Sequence, residues 1–327
     1  MLRNCYLKYY SISKKYCRLP LNLLLVTMLF WSPVRAVTQN FRVMLTEKPA
    51  SSITIGWELI AGCPDTQIVF YDTIDHGQDT SAYRFQKSIT ASYFHQGMEN
   101  YFTTLQNLKP DTPYYFVVAE DEGISDRFWF RTLSTYKNQW RAFWTSPDLP
   151  QQFNESKKLN NRIATDDPDF VLADGLSSLR TEADWRHWME NWQKSISSSG
   201  RITPLLTVGP LSVDVQFLFN RTERPAYTYA LSAQNVLITT ARNEKLRKRY
   251  LKIISSEDFV IRYAADSFPK PSAAIDFTIT ASSVCNERIP NLFCFPQNKT
   301  MLDLRWKNGQ LSILSASGEK LLDVFSN

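Results

Sequence analysis

The stretch Asp169–Leu179, DFVLADGLSSL, most constrains what this chain can fold into. Phe170 to Ala173 is a short apolar run without polar alternation, which predicts a strand buried on both faces inside a parallel sheet. Asp174-Gly175-Leu176 then turns the chain at the strand's end. Proteins with such sheets place their chemistry at the carboxyl edge of the strands, and the residue after the glycine falls there. That residue is Leu176, whose side chain neither ligates a metal nor moves a proton.

The elements around this strand alternate. Arg141–Thr145 reads as a strand, Gln151–Thr165 as a helix, and Glu182–Ser195 as a helix with Trp185, Trp188 and Trp192 on one stripe facing a core. His187 falls on another face, among Arg186 and Glu190, and reads as solvent-side. Ile202–Val208, Val236–Thr240, Phe259–Tyr263 and Ile275–Ala281 read as strands and Lys245–Ser255 as a helix. The tail, Met301–Trp306, Leu311–Ser315 and Lys320–Val324, reads as antiparallel strands. Together they predict two stacked mixed sheets flanked by helices. Before a polar linker, Leu133–Gln139, the pattern differs. From Phe41 to Thr132 short strands (Ser52–Glu58, Gln67–Tyr71, Ala82–Ile89, Tyr101–Leu108, Tyr114–Glu120, Arg127–Thr132) alternate with turns, which predicts an all-β sandwich. A chain of 327 residues with 43% hydrophobic content accommodates both domains.

Residues 1–36 read as a secretory signal. Arg3, Lys8, Lys14, Lys15 and Arg18 precede an apolar run, Leu21–Trp31, and Val34 and Ala36 are the small residues a signal peptidase requires. The run is far short of the roughly 20 residues of a bilayer span. An uncleaved anchor is the alternative; in either case the bulk of the chain is exported to the cell surface, periplasm or medium, and no later segment is apolar enough to span a membrane. The leader holds six basic residues and no acidic ones, so the formal charge of +5 becomes −1 without it. Nucleic-acid binding thereby loses its electrostatic footprint. Lys245, Arg247, Lys248, Arg249 and Lys252 form the remaining cationic cluster and read as a solvated helix face. Cys63, Cys285 and Cys294 stay in the exported chain, and Cys285–Cys294 is a plausible local disulfide with Cys63 left over. Asn154, Asn220 and Asn298 lie in glycosylation sequons.

A buried Trp57 in the second strand, together with Leu108, Pro110, Thr112 and Tyr114 in LxPxTxYYF, resembles a fibronectin type III sandwich, with Tyr114 as its tyrosine corner. With His95 ahead and RFWFRT behind, the segment is similar to the N-terminal domain of purple acid phosphatases. Residues 140–327 in turn resemble the calcineurin-like metallophosphoesterase domain of that family. The phrases that carry this likeness are DFVL, the Trp helix followed by ITPLLTVG, RPAYTYALSAQNVL, Ala274–Arg288 and GEKLLDVF, in that order. The resemblance implies a signal peptide at 1–36, a fibronectin-like domain at 37–133 and a phosphoesterase-like domain at 134–327.

It also implies a dinuclear metal centre, which generates hydroxide and polarises phosphate and which needs Asp, Asn and several His. Aligned to the family motifs, the ligands are gone. Pro147-Asp148 keeps one carboxylate, Leu176 stands where the bridging Asp belongs, and Pro210 and Leu211 replace Asn and His. The single-histidine motif falls near Tyr263–Ala265, and Ser282-Ser283-Val284-Cys285 replaces Gly-His-x-His. Asp174 lies two residues from the bridging position. The chain's three histidines, at 76, 95 and 187, form no HxH or HExxH pair. Ser177 and Ser178 lack a GxSxG context, and no Gly-rich phosphate loop occurs. The expectation is a secreted pseudoenzyme without metal or other cofactor, whose partner is an unidentified protein or glycan. The alternatives are a phosphoesterase rebuilt around Asp148 and Asp174, and a structural envelope or surface protein.

Overall fold

The computed structural model describes residues 37–61, 66–121, 123–137, 139–145, 153–173, 176, 179–208, 212–220, 226–231, 234–239, 259–263, 275–280, 292–294, 301–307, 310–315 and 317–325. Of these, residues 37, 61, 153–156, 226–231, 234–239, 259–263, 275–280, 292–294 and 322–325 are described by backbone alone.

The first part is a sandwich of nine strands. One of its sheets contains β1 (Val37–Leu45), β2 (Ile53–Ala61), β5 (Ala91–His95) and β6 (Met98–Leu105). The other contains β3 (Gln67–Asp72), β4 (Phe85–Ser88), β7 (Pro113–Glu120), β8 (Gly123–Ile124) and β9 (Phe128–Arg131). Trp57 on β2 is fully buried and its indole N–H donates to Gln67 Oε1 at 2.8 Å, so the ring is placed in the core without an unsatisfied donor. Tyr114 forms the corner read from the sequence: its Oη accepts the Lys109 backbone N–H at 2.8 Å. Three strands escaped the sequence reading, among them the two-residue β8. β1 holds alternating Phe41 and Val43 in the core but carries Asn40 and Arg42 within it, and β5 is short and mixed.

The second part follows as β10 (Gln139–Thr145), α1 (Phe153–Asp166), β11 (Phe170–Ala173), α2 (Glu182–Trp192), β12 (Leu205–Thr207) and α3 (Val213–Leu218). Then come β13 (Ala226–Leu231), β14 (Gln234–Thr239), β15 (Phe259–Tyr263), β16 (Ile275–Thr280) and β17 (Leu292–Cys294). The end is β18 (Met301–Lys307), β19 (Gln310–Ser315) and β20 (Lys320–Phe325). β13 to β17 form one mixed sheet in sequence order, with β13/β14 antiparallel and the other pairs parallel. β10, β11 and β12 pair in parallel as the apolar run of β11 predicts, and the three terminal strands add antiparallel beside β10. The helix expected at Lys245–Ser255 lies outside the described residues.

The two parts share a sheet. β12 pairs in parallel with β1 at Met44↔Leu205, giving a ten-stranded order β20-β19-β18-β10-β11-β12-β1-β2-β6-β5. The strand expected over Ile202–Val208 is divided, because Pro204 has no N–H to give a ladder. Ahead of the proline, Ile202 N–H donates to Trp129 O at 2.8 Å on β9, and after it Leu205–Thr207 pairs with β11 and β1. One segment thus joins both sandwich sheets to the α/β part. The core is shared too: Phe41, Trp57, Ile202, Leu206, Trp144 and Leu304 belong to a single buried cluster. Each such side chain contributes on the order of 2 kcal/mol through burial. The segment expected as a polar linker is packed down. Leu133 is buried, and Tyr136 Oη and Lys137 Nζ hold Asp111 at 2.7 and 2.9 Å.

Candidate functional site

The carboxyl ends of β10, β11 and β12 lie side by side at Thr145, Ala173 and Thr207, and Met301 of β18 stands beside Thr145. This is the sheet edge at which an α/β domain holds its chemistry. Ahead of α2, Leu179 N–H donates to Leu176 O at 3.2 Å. Thr181 starts that helix with a capping box, its Oγ1 accepting Asp184 N–H while Asp184 accepts the Thr181 N–H. Leu176 is 2% exposed and belongs to the apolar cluster on this face of the sheet. The cluster includes Val171 and Leu205 from the strands, Trp185 and Met189 from α2, and Val215 from α3. Val208, immediately after β12, is 3% exposed, and Met301 is 1% exposed.

These residues do not fit a dinuclear centre. Hard and borderline cations require carboxylate, amide oxygen or imidazole donors, and Leu176, where the resemblance expects the bridging carboxylate, is an aliphatic side chain in a cluster of aliphatic and indole groups. Among the described residues no three His, Cys, Asp or Glu side chains gather to hold a metal ion. Asp148, Asp174, Ser177, Ser178, Pro210, Leu211, Ser283 and Cys285 lie outside the described residues, as do Cys63 and Tyr263's successors Ala264 and Ala265. Cys294 ends β17 opposite Thr280, and its expected disulfide partner Cys285 is again outside. Asp169, at the amino end of β11, is remote in the strand from this edge. It accepts the Arg141 N–H at 2.8 Å, and burial lifts its carboxyl above the usual range in spite of that bond.

Polar chemistry instead concentrates where the sandwich meets the helices, and the sequence reading did not find it. Arg42 of β1 is fully buried between the rings of Phe102 and Phe219. It donates to Leu218 O and Asn40 O at 2.9 Å and to Asn100 Oδ1 at 2.5 Å. Burial pulls its guanidinium down to about 9, against the opposing charge of Glu58. Glu58, 2% exposed, accepts from Asn40 at 2.6 Å and from Arg186 of α2 at 3.0 Å. Arg186 also reaches Gly97 O at 2.8 Å, while Asp214 of α3 takes His95 Nε2 at 2.6 Å and Gln96 Nε2 at 2.9 Å. Every group in this network has a partner, so its role is to fix the sandwich against α2 and α3. The signal in the sequence was a charged residue, Arg42, inside an apolar strand. The other two histidines are elsewhere: His187 contacts Asn191 on its own helix, and His76 lies 3.5 Å from Asp72 in the sandwich.

Comparison with known proteins agrees with this architecture. The family model described as purple acid phosphatase, N-terminal domain, matches residues 38–132. Among solved structures the chain is similar to PhoD, with a TM-score of 0.55 at 9% identity, over 84% of this chain and 85% of that one. At that identity the likeness concerns fold alone. The sensor domain of the anti-sigma factor RsgI4 in Pseudobacteroides cellulosolvens matches over 30% of this chain and 89% of its own, at 20% identity and a TM-score of 0.22. The chicken CNTN1 FN1–FN3 domains match over 30% of this chain and 31% of theirs, at 23% identity and a TM-score of 0.21. No curated protein matches the chain. Residues 38–132 thus match the purple acid phosphatase N-terminal domain, and the chain as a whole shares the fold of PhoD.

Proposed function

We propose that this protein is an exported pseudoenzyme: a purple acid phosphatase-like scaffold that binds a protein or glycan and does not hydrolyse phosphoesters. The observation that supports the reading is the burial of Leu176, 2% exposed in an apolar cluster, at the position where the family resemblance expects the bridging carboxylate. A carboxylate there would have to be desolvated among Trp185, Met189 and Val215, which is costly without a cation. With the bridging ligand replaced by core, and the Asn-His and His-x-His positions occupied by Pro210-Leu211 and Ser283–Cys285, the two-metal mechanism has no ligand set. The leader at residues 1–36 supports export.

A phosphomonoesterase assay across added Zn²⁺, Mn²⁺ and iron tests the proposal, run on the wild type and on Asp148→Ala. The expected result is no turnover above the buffer in any condition. Metal-dependent turnover that disappears in Asp148→Ala would establish instead a phosphoesterase rebuilt around Asp148 and Asp174.

A further inference from the structure

The strand β5 forms one edge of the ten-stranded sheet, with no partner on its outer side among the described residues. Its sequence, Ala91-Ser92-Tyr93-Phe94-His95, contains no Lys, Arg, Asp, Glu, Pro or Gly, the residues that ordinarily blunt a sheet edge. The opposite edge of the same sheet, β20, carries Lys320 and Asp323, and the neighbouring sandwich edge, β4, carries Lys87. Phe94 is 68% exposed, a large apolar side chain left in solvent on an unguarded strand.

The geometry points to this edge as a self-association surface, on which β5 of a second copy of this chain pairs antiparallel across a two-fold axis at Tyr93. The direction of the free backbone groups carries the register. A two-residue turn, Gln96-Gly97 with φ of 50° and 68°, connects β5 to β6, so His95 and Met98 form the hydrogen-bonded pair that closes the hairpin. By alternation, Tyr93 also bonds inward, and the N–H and C=O of Ser92 and Phe94 point outward. An axis at Tyr93 puts Ser92 opposite Phe94 of the second copy, so the residues with free groups exchange both bonds at two places. The side chains agree with the same register. Tyr93 and His95 lie on the face towards α3, where both rings contact Phe217 at 5.2 and 5.0 Å, so Ser92 and Phe94 share the other face. Each exposed Phe94 ring then lies across from a small Ser92, and Ala91 lies across from His95, with no like charges opposed. An isologous pairing of this kind uses one patch twice and closes without forming a fibre.

Sedimentation velocity on the purified protein over about two decades of concentration tests the inference. The expected result is a concentration-dependent monomer–dimer equilibrium. Phe94→Lys, which places a charge at the edge, and Ser92→Pro, which removes an outward N–H, each weaken it at least about tenfold. Phe85→Lys on β4 leaves it unchanged. Phe94→Lys alters only an exposed side chain, so its far-ultraviolet circular dichroism matches the wild type and it decides the matter if Ser92→Pro misfolds. A wild type that remains monomeric throughout, or a dimer that survives Phe94→Lys, overturns the assignment.

Discussion

At the scale of single residues, Leu176 and Asp303 carry the most testable content. Leu176 is part of the hydrophobic core on the helix-covered face, and Leu176→Asp would set a carboxylate within it. The substitution is expected to cost about 3–5 kcal/mol, combining lost apolar burial with a carboxylate in an apolar surround. Leu176→Met, which nearly conserves volume, costs under about 1.5 kcal/mol. Urea denaturation of both variants checks the contrast, and a Leu176→Asp protein as stable as the wild type would mean that the position opens to solvent. Asp303 is a buried carboxylate of the opposite kind, fully paired. Its Oδ2 receives Arg141 Nη2 at 2.7 Å and Arg305 Nη2 at 2.8 Å. Burial alone would lift its carboxyl, but the hydrogen bonds and charges of the two arginines outweigh burial and hold it below the usual range. A folded-state value depressed in this way stabilises the protein above the ordinary carboxylate value, about 4, and the stabilisation is lost as pH falls through the depressed value. Asp303→Asn should therefore lower stability at neutral pH and flatten the acid limb of a plot of denaturation midpoint against pH.

At the scale of elements, the hairpin of β5 and β6 is the sandwich's handle on the helices. Its turn residue Gly97 has φ of 68°, and a Cβ there would meet the carboxylate of Glu182 on α2. Gly97→Ala sets a Cβ in an unfavourable backbone region and displaces the flexible end of Glu182 from Arg186, and is expected to cost about 1–2 kcal/mol, mostly from the backbone. Thermal unfolding measures the loss; most of it should persist when Gly97→Ala is paired with Glu182→Ala, because the backbone term remains. The elements themselves were legible in the sequence to different degrees. β11, β18 and β19 could be read from apolar runs and alternation, because each buries a regular set of side chains. β1 could not, since Asn40 and Arg42 interrupt its pattern and find most of their partners far along the chain, at Glu58, Asn100 and Leu218. Ile202–Val208 was read as one strand because local sequence does not reveal that its two halves pair with different sheets.

At the scale of the whole molecule, the sandwich and the α/β part are bound by one sheet, one hydrophobic cluster and a buried polar network. The sequence showed two patterns and a polar stretch between them, and from this two separate modules were expected. What it could not show is the tertiary register, Met44 against Leu205, that makes the sheet continuous. The candidate site was legible in a different sense: residue types at motif positions could be read directly, but only packing distinguishes an apolar residue lining an open cleft from one filling it. Leu176 fills it. The most direct test of the central claim is the metal content of the protein purified from the exported fraction without chelators, measured by inductively coupled plasma mass spectrometry. The account predicts well below one equivalent of Fe, Zn and Mn per chain after gel filtration. About two equivalents retained per chain, the stoichiometry of a two-metal site, and lost on Asp148→Ala, would contradict it.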